Sequence, residues 1–140
     1  MPLKLSLRPG ERFVINGAVL QNGDRRAVLM LQNQASVLRE KDIMQPEEAA
    51  TPARRIYFPI MLLYLSEGDS ALLLQQARLR IAEFSEAVSN PEAKRECLEI
   101  AQELDGGQFY RALTRCKRLI AYEDSVLGTS HVDSRLPAGR

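Results

Sequence analysis

The sequence has little of what enzyme active sites and metal sites are built from. Its 140 residues contain one histidine, His131, and two cysteines, Cys97 and Cys116. A nucleophilic serine or cysteine needs a base within hydrogen-bond reach, and the usual base is histidine. His131 lies in a final stretch without periodicity, and no cysteine and histidine spacing matches a zinc site. We therefore expect no enzymatic activity, no cofactor and no metal, and we expect both cysteines to be buried free thiols.

Other signatures are missing as well. There is no GxxxxGK[ST] or GxGxxG loop for phosphates, and the acid pairs Glu47-Glu48 and Glu123-Asp124 are typical of solvated linkers and helix ends. The longest apolar run, residues 56–65, is about half of a membrane span. The start "MPLKLSL" lacks a charged segment followed by a long apolar one, so no secretory signal is expected. With 45% hydrophobic and 26% charged residues, the chain is predicted to be a folded cytoplasmic protein without membrane contact.

The first third of the chain has the period of β-strands. Leu3, Leu5 and Leu7 alternate with polar residues, "RPGE" at residues 8–11 forms a turn, and two Asn-Gly pairs, at residues 16–17 and 22–23, are hairpin signals. This pattern predicts a β-rich unit over residues 1–45, folded as a five-stranded antiparallel meander or small barrel. The expected strands are 3–7, 12–16, 18–21, 26–32 and 36–39.

From residue 46 the period changes to 3.6, which is typical of helices. Thr51-Pro52 and Asn90-Pro91 are cap and first-position pairs, and Pro59 predicts either a kink or a break. About four helices are expected over residues 46–128, the last stopping at Gly128, and residues 129–140 are predicted to be a disordered tail. The fold class is therefore α+β, and the expected helices start at 52, 70, 91 and 108.

Cations flank the predicted strands, and nucleic-acid recognition needs cations for phosphates. Charge on edge strands also prevents unwanted pairing, so protection of the edges is the competing interpretation. A second basic stripe on the last helix, Arg111, Arg115 and Arg118, is either a further contact or a solvated face. The candidate RNA-binding residues are Lys4, Ser6, Arg8, Arg25, Arg26, Arg39 and Lys41.

The run "RRIYFPIMLLYL" is more apolar than one helical stripe requires. A helix that is apolar on all sides is buried in its own chain or against a partner. The residues therefore leave two interpretations open, a central core helix and an oligomer or partner contact. The candidate interface residues are Tyr57, Phe58, Met61 and Tyr64.

Several long stretches together resemble the FlbT family of flagellar regulators. They are "RPGE", "NGAVLQNGDRR" (16–26), "SVLREKDIMQP" (36–46), "TPARRIYFP" (51–59) and, further on, "YRALTRCKRLIAYEDSVLG" (110–128). The resemblance covers the chain to about residue 128. It implies a non-enzymatic regulator that binds the 5′ untranslated region of flagellin messenger RNA and lowers its translation and stability. It also implies a functional link to FlaF, with flagellin as a further candidate partner.

A weaker likeness concerns the strands. The turn "RPGE" and the strand "SVLRE" (36–40) are similar to those of the carbon storage regulator (CsrA) family, small β-rich dimers that bind messenger leaders. In that family the first-strand edge and an arginine of the last strand contact RNA. Carried over, the likeness places Lys4, Leu5, Ser6 and Arg8 along one RNA edge, with Arg39 approaching that edge from the other strand. It predicts that Arg39→Ala weakens RNA binding without unfolding the protein.

Two hypotheses follow. In the first, the β-rich unit binds RNA and the helices support a homo-oligomer or a partner. In the second, the chain is a chaperone-like adaptor that binds FlaF or flagellin through the apolar helix and the last helix, and acts on messenger RNA indirectly. The sequence leaves the oligomeric state, the direction of regulation and the RNA element undetermined.

Overall fold

The structure of the chain is a computed structural model that describes residues 3–131, with side chains described as far as Leu127. Within these residues five short strands come first and four α-helices follow. The α+β class and the number of helices expected from the two periodicities are thus confirmed. The strands are β1 (Leu3–Leu7), β2 (Arg12–Ile15), β3 (Ala18–Gln21), β4 (Ala27–Leu31) and β5 (Val37–Arg39); two 3-10 turns follow at Glu40–Asp42 and Pro46–Glu48; the helices are α1 (Pro52–Leu65), α2 (Ser70–Ala87), α3 (Pro91–Asp105) and α4 (Phe109–His131).

The strands form two small antiparallel sheets whose order differs from a simple meander. β1 pairs with β4, and β2 lies between β3 and β5. Only β2 and β3 are neighbours both along the chain and in a sheet. Their turn has Asn16 and Gly17 at φ 50° and 83°, the left-handed pair that a two-residue hairpin requires. The first Asn-Gly signal therefore predicted a hairpin correctly.

The second Asn-Gly pair does not turn β3 back onto β4. A two-residue hairpin of this kind needs positive φ at both residues, and neither Asn22 nor Gly23 has it. The Asn22 side-chain amide instead donates hydrogen bonds to the carbonyl oxygens of Arg8 and Arg25, each at 2.8 Å. The Gly10 N–H also donates to the Gly23 carbonyl at 2.8 Å. Contacts with the 8–11 turn have overridden the local signal here.

The helices begin at the expected capping residues. Thr51 caps α1 and accepts a hydrogen bond from the Arg54 N–H at 3.3 Å, and Asn90 caps α3 in the same way. Pro59 lies inside α1, which continues unbroken to Leu65. The chain therefore does not split at Pro59, although proline removes one hydrogen bond from the helix. Over the described residues, no helix combines the length and the apolar character that crossing a bilayer requires.

Helix α1 lies at the centre of the molecule. It packs against both α2 and α4, and α3 packs against α4. Of its 14 residues, seven are buried, so the central-helix interpretation of the apolar run is the one observed. The strand residues Val14 and Leu38 belong to the same buried cluster as the helices. The strands and the helices therefore share one core.

Helix α4 extends further than expected. Its backbone remains helical to His131, past Gly128. A glycine inside a helix costs only about 1 kcal/mol relative to alanine, so it is a weak stop signal when no proline follows at once. The predicted end at Gly128 is wrong for this reason. Of the expected tail at 129–140, residues 129–131 are helical and the remainder lies outside the described residues.

Candidate nucleic-acid interface

The candidate site is organised around a buried acid, Glu11, at the end of the turn between β1 and β2. Its residue surface is only 6% exposed. The carboxylate accepts hydrogen bonds from the Arg8 N–H at 2.9 Å and from the Arg39 guanidinium, with Nε and Nη2 both at 3.0 Å. The Arg8 N–H and, after it, the Arg39 guanidinium hold the pKa of Glu11 below its ordinary value of 4.5, whereas burial acts in the opposite direction.

Arg39 joins three parts of the chain at this acid. It lies on β5, opposite Phe13 of β2, and its Nη2 also donates to the Ser6 carbonyl of β1. Its side chain is 33% exposed, and none of the described residues accepts a hydrogen bond from its Nη1. Arg39 is thus mainly a structural residue, and about two thirds of its side chain is covered.

Arg8 and Arg26 line an open concavity of about 560 Å³ beside this pair. The Arg8 side chain is 71% exposed, and its Nε lies 3.9 Å from a carboxylate oxygen of Glu11, a contact that leaves most of the side chain free. The Asn22 amide bridges the carbonyls of Arg8 and Arg25 and so brings the 22–26 segment next to the 8–11 turn. We call Arg8, Arg25 and Arg26 the basic surface; all three are exposed.

The other predicted RNA-binding residues lie further out. Lys4 is exposed on β1, paired with Met30 of β4, and shares its strand face with Ser6 because Leu5 between them is buried. Lys41 lines a different concavity, next to Lys117, in front of α1 and α4. The structure therefore brings Ser6, Arg8, Arg25, Arg26 and Arg39 together, with Lys4 along the same strand, and leaves Lys41 apart.

Sequence reasoning missed the two acids of the site. Glu40 lines the same concavity, and its carboxylate accepts a hydrogen bond from the Arg12 N–H at 2.8 Å. Glu11 carried a signal that a closer reading of the period would have found, since it alternates with the buried Phe13 and so falls on the buried face. The exposed Arg12 adds a further cation beside the basic surface.

The predicted partner residues of α1 are occupied inside the chain. Tyr57 and Met61 are each 3% exposed, and Phe58 and Tyr64 are partly buried against the same core. The Tyr57 hydroxyl donates to the Asp42 carbonyl at 2.8 Å. Tyr57 and Met61 cannot reach a partner without opening the core, so their assignment to an interface is corrected.

Tyr64 holds the strands to the helices. Its hydroxyl accepts a hydrogen bond from the Val37 N–H at 2.8 Å and donates to the Val37 carbonyl at 3.0 Å. This hydroxyl therefore caps the outer edge of β5. Tyr64 thus attaches β5 to α1.

Two of the three arginines of the α4 stripe are paired within the chain. Arg115 forms ion pairs with three acids of α3, Glu96, Glu99 and Glu103, at 2.8 to 3.3 Å. Arg118 lies 3.8 Å from Glu96. Arg115 and Arg118 therefore belong to a helix–helix ion-pair network, whereas Arg111 is exposed and forms no ion pair within the described residues.

Glu123 and Asp124 also have structural roles. Glu123 is 5% exposed, and its carboxylate accepts a hydrogen bond from the Ala53 N–H at 2.9 Å, at the amino-terminal end of α1. Asp124 pairs with Arg54 through two hydrogen bonds of 2.9 and 3.0 Å. The expectation that both acids are solvated is wrong for Glu123, which satisfies the first turn of a neighbouring helix.

Comparison with known proteins gives one consistent result. The sequence profile described as "Flagellar protein FlbT" matches residues 3–127. The chain is 53% identical over 139 residues to the flagellum biosynthesis repressor protein FlbT of Caulobacter vibrioides (strain ATCC 19089), which covers 99% of this chain and 97% of that protein. It is 56% identical over 128 residues to a probable protein of the same name from Caulobacter sp. (strain K31), covering 91% and 98%. A probable relative from Rhodopseudomonas palustris (strain TIE-1) is 34% identical over 128 residues, covering 91% and 98%. No solved structure matches the chain.

Proposed function

The chain belongs to the FlbT family of flagellar proteins, and on that premise we propose that it represses flagellum biosynthesis by binding flagellin messenger RNA. The binding element is the 5′ untranslated leader, and the protein acts in the cytoplasm without catalysing a reaction. The name of the Caulobacter vibrioides relative supports the repressor role. The observation that carries RNA binding is the clustering of Arg8, Arg25 and Arg26, which are separated by the β2–β3 hairpin in sequence.

The charge of the β-rich part supports an anionic ligand. Residues 3–40 contain six cations and three carboxylates. One carboxylate, Glu11, is buried and matched by Arg39, so the exposed cations exceed the exposed acids. Guanidinium groups bind phosphate with two parallel hydrogen bonds, and several phosphate contacts release counterions together. The basic surface is thus suited to an RNA backbone.

The composition of the surface favours contacts to phosphates and base edges over stacking. Sequence-specific RNA binders often stack bases on exposed aromatic rings. Among the described residues, the large exposed aromatic is Tyr110 of α4, which is not part of the basic surface. In this protein, arginines next to open strand backbone offer hydrogen-bond donors in place of stacking rings.

Arg39 has a positioning role in this proposal. By binding Glu11 and the Ser6 carbonyl, it fixes the 8–11 turn from which Arg8 projects. Its Nη1, which makes no hydrogen bond within the described residues, is left for one further contact. Arg39→Ala leaves a buried carboxylate without its cation. We therefore expect this substitution to destabilise the fold, contrary to the expectation from the sequence.

The test is leader binding by purified protein carrying Arg8→Gln and Arg26→Gln together, compared with the parent and with Arg111→Gln. Arg111 is a matched control because it is an exposed arginine on α4, outside the basic surface. We expect the double variant to lose at least about tenfold in affinity with unchanged melting behaviour, and Arg111→Gln to bind like the parent. Equal binding by all three proteins would show that the basic surface does not bind the leader.

A second function is favoured by a groove between α2 and α3 that is lined by apolar residues and by the charged Arg78, Lys94 and Asp105. It has a volume of about 580 Å³ and includes Ile81, Cys97 and Leu98 in its lining, and Leu98 is 60% exposed. Such a groove suits an amphipathic helix, as in an adaptor that binds FlaF or flagellin and affects messenger RNA indirectly. A stable complex of the purified chain with FlaF, lost in Leu98→Lys, together with no leader binding at moderate salt, would favour this function over the first.

A further inference from the structure

The side-chain amide of Asn22 joins the two segments that carry the basic surface. Its Nδ2 donates hydrogen bonds to the carbonyl oxygens of Arg8 and Arg25, each at 2.8 Å, and its Oδ1 accepts one from the Gly23 N–H at 2.9 Å. An asparagine amide nitrogen has two hydrogens, so both are in use. The two carbonyl acceptors also fix which end of the amide is the nitrogen. The position of the 22–26 segment therefore depends on this nitrogen.

A carboxylate at residue 22 cannot replace the amide. An ionised aspartate only accepts hydrogen bonds, so its second oxygen would face two carbonyl oxygens at the distance where the amide nitrogen now donates. Both donors are lost, and the facing oxygens repel one another. Arg25 and Arg26 would then no longer be held beside Arg8. Exchange of one nitrogen atom for oxygen is therefore enough to disrupt the basic surface.

The residue that follows makes Asn22 open to this exchange. The Gly23 backbone nitrogen can attack Cγ of Asn22 and close a five-membered succinimide, while the side-chain nitrogen leaves as ammonia with the proton that the Gly23 nitrogen gives up. Water then opens the ring and leaves aspartate or isoaspartate, each with a carboxylate in place of the amide. The attack is intramolecular, which favours it, and water is the only co-reactant. Glycine has no side chain to block the attacking nitrogen.

The structure brings the reacting groups together. The Gly23 nitrogen already lies 2.9 Å from Oδ1 of Asn22, so the amide group and its attacking nitrogen are on the same side of the chain. Gly23 is exposed, and attack becomes possible when a local opening of this loop releases the amide from the two carbonyls. The carboxylate that forms cannot restore those hydrogen bonds. Each reaction at this residue is therefore irreversible.

The other Asn-Gly pair of the chain provides an internal comparison. Asn16 uses its oxygen, since its Oδ1 accepts a hydrogen bond from the Ser36 N–H at 2.9 Å. An aspartate at residue 16 keeps an acceptor at the same place. Asn16 also lies in the turn between β2 and β3, outside the basic surface. The same chemical change should thus be harmless at residue 16 and disruptive at residue 22.

We propose that Asn22 is a deamidation site, and that its conversion to aspartate or isoaspartate disrupts the basic surface and ends RNA binding. The effect on RNA rests on the proposed function. The conversion of the amide and the loosening of the 8–11 turn do not depend on it. Deamidation at this residue limits the time for which a molecule of the protein remains competent to bind.

The first test follows the full chain during incubation at mildly alkaline pH. Peptide mass spectrometry reads the amide-to-acid conversion at residues 16 and 22, and leader affinity is measured on the same samples. We expect affinity to fall in step with conversion at residue 22 and not with conversion at residue 16. Gly23→Ala is the matched variant, because a Cβ at this residue meets no atom within 4 Å while the N–H is kept. It should convert more slowly and keep its starting affinity for longer. A residue 22 that stays an amide, or a Gly23→Ala protein that ages like the parent, overturns the proposal.

Substitution separates the role of the amide from RNA binding. Asn22→Asp should lower leader affinity at least about tenfold and should quicken hydrogen exchange of the Gly10 N–H, which donates to the Gly23 carbonyl at 2.8 Å. Asn16→Asp should change neither. Gly23→Asp adds the same charge at the next residue without removing the amide, so exchange at Gly10 should stay as in the parent. A parent that binds no leader RNA would contradict the proposed function alone, whereas unchanged exchange at Gly10 in Asn22→Asp would overturn the role of the amide.

Discussion

Arg39 and Glu11, 28 residues apart in the sequence, form a two-pronged ion pair in which Nε and Nη2 each lie 3.0 Å from a carboxylate oxygen. The pair connects β5, the last strand, to the turn at residues 8–11, which precedes β2. Since the Arg8 N–H donates to the same carboxylate, one buried acid fixes both the turn and the arginine that projects from it. The basic surface depends on this acid for its shape.

Truncation of Arg39 should destabilise the protein. Arg39→Ala leaves a buried carboxylate without its guanidinium, and we expect the melting temperature to fall by about 4 °C or more. Arg12→Ala is the control, because the Arg12 side chain is exposed and forms no ion pair within the described residues. Thermal unfolding followed by circular dichroism checks both. Matching melting curves for the two variants would contradict the structural role of Arg39.

The stability of the protein should depend on pH through Glu11. Because its folded pKa is lowered, the carboxylate stabilises the fold above its ordinary value of 4.5, and this contribution is lost as pH falls through the lower folded value. The urea midpoint of the parent should therefore exceed that of Glu11→Gln most at about pH 6, and the gap should narrow toward about pH 3. Glu86→Gln, at an exposed acid of α2, controls for loss of one negative charge. A gap that widens on acidification would mean that Glu11 is not stabilised as a carboxylate.

The Tyr64 hydroxyl should anchor β5 to the helices. Tyr64→Phe leaves the Val37 N–H and carbonyl without their partner, which we expect to lower the free energy of unfolding by about 1 kcal/mol. Amide hydrogen exchange at Val37 should quicken more than exchange in α3. Tyr122→Phe is the comparison, since its hydroxyl forms no hydrogen bond within the described residues. Unchanged exchange at Val37 would show that the hydroxyl does not hold this strand edge.

Both cysteines should be unreactive in the folded protein. Burial raises the pKa of Cys97 to about 11, and it raises the pKa of Cys116 further. Because the thiolate is the reactive form, an aromatic disulfide reagent at neutral pH should label neither residue until urea unfolds the chain. Rapid labelling of one thiol per native chain would contradict the packing of α3 against α4.

The sequence predicts local structure here better than it predicts the site. Alternation of Leu3, Leu5 and Leu7 locates β1, and the Thr51-Pro52 and Asn90-Pro91 pairs locate the starts of two helices, because these signals arise between neighbouring residues. The Asn22-Gly23 turn and the end of α4 were missed, since tertiary contacts and weak propensities decide them.

The candidate site was predicted only in part. Arg8 and Arg39 were expected on one surface, and they do meet, at Glu11. The structural role of Arg39 and the exposed position of Arg8 were not predictable, because they depend on which acid lies buried between the two arginines. In the same way, the ion pairs of Arg115 with acids of α3 depend on the packing of two helices. Cations in a sequence indicate a charge and leave open whether a partner inside the chain neutralises it.

The central claim is that the basic surface binds the phosphates of a messenger leader, and the salt dependence of binding tests it most directly. Binding of the parent to flagellin leader RNA should weaken steeply with salt, and Arg8→Gln with Arg26→Gln should reduce the slope of log affinity against log salt by about 1.4, about 0.7 for each lost contact. Arg111→Gln should keep the parent slope. A slope that is the same in all three proteins would contradict the account.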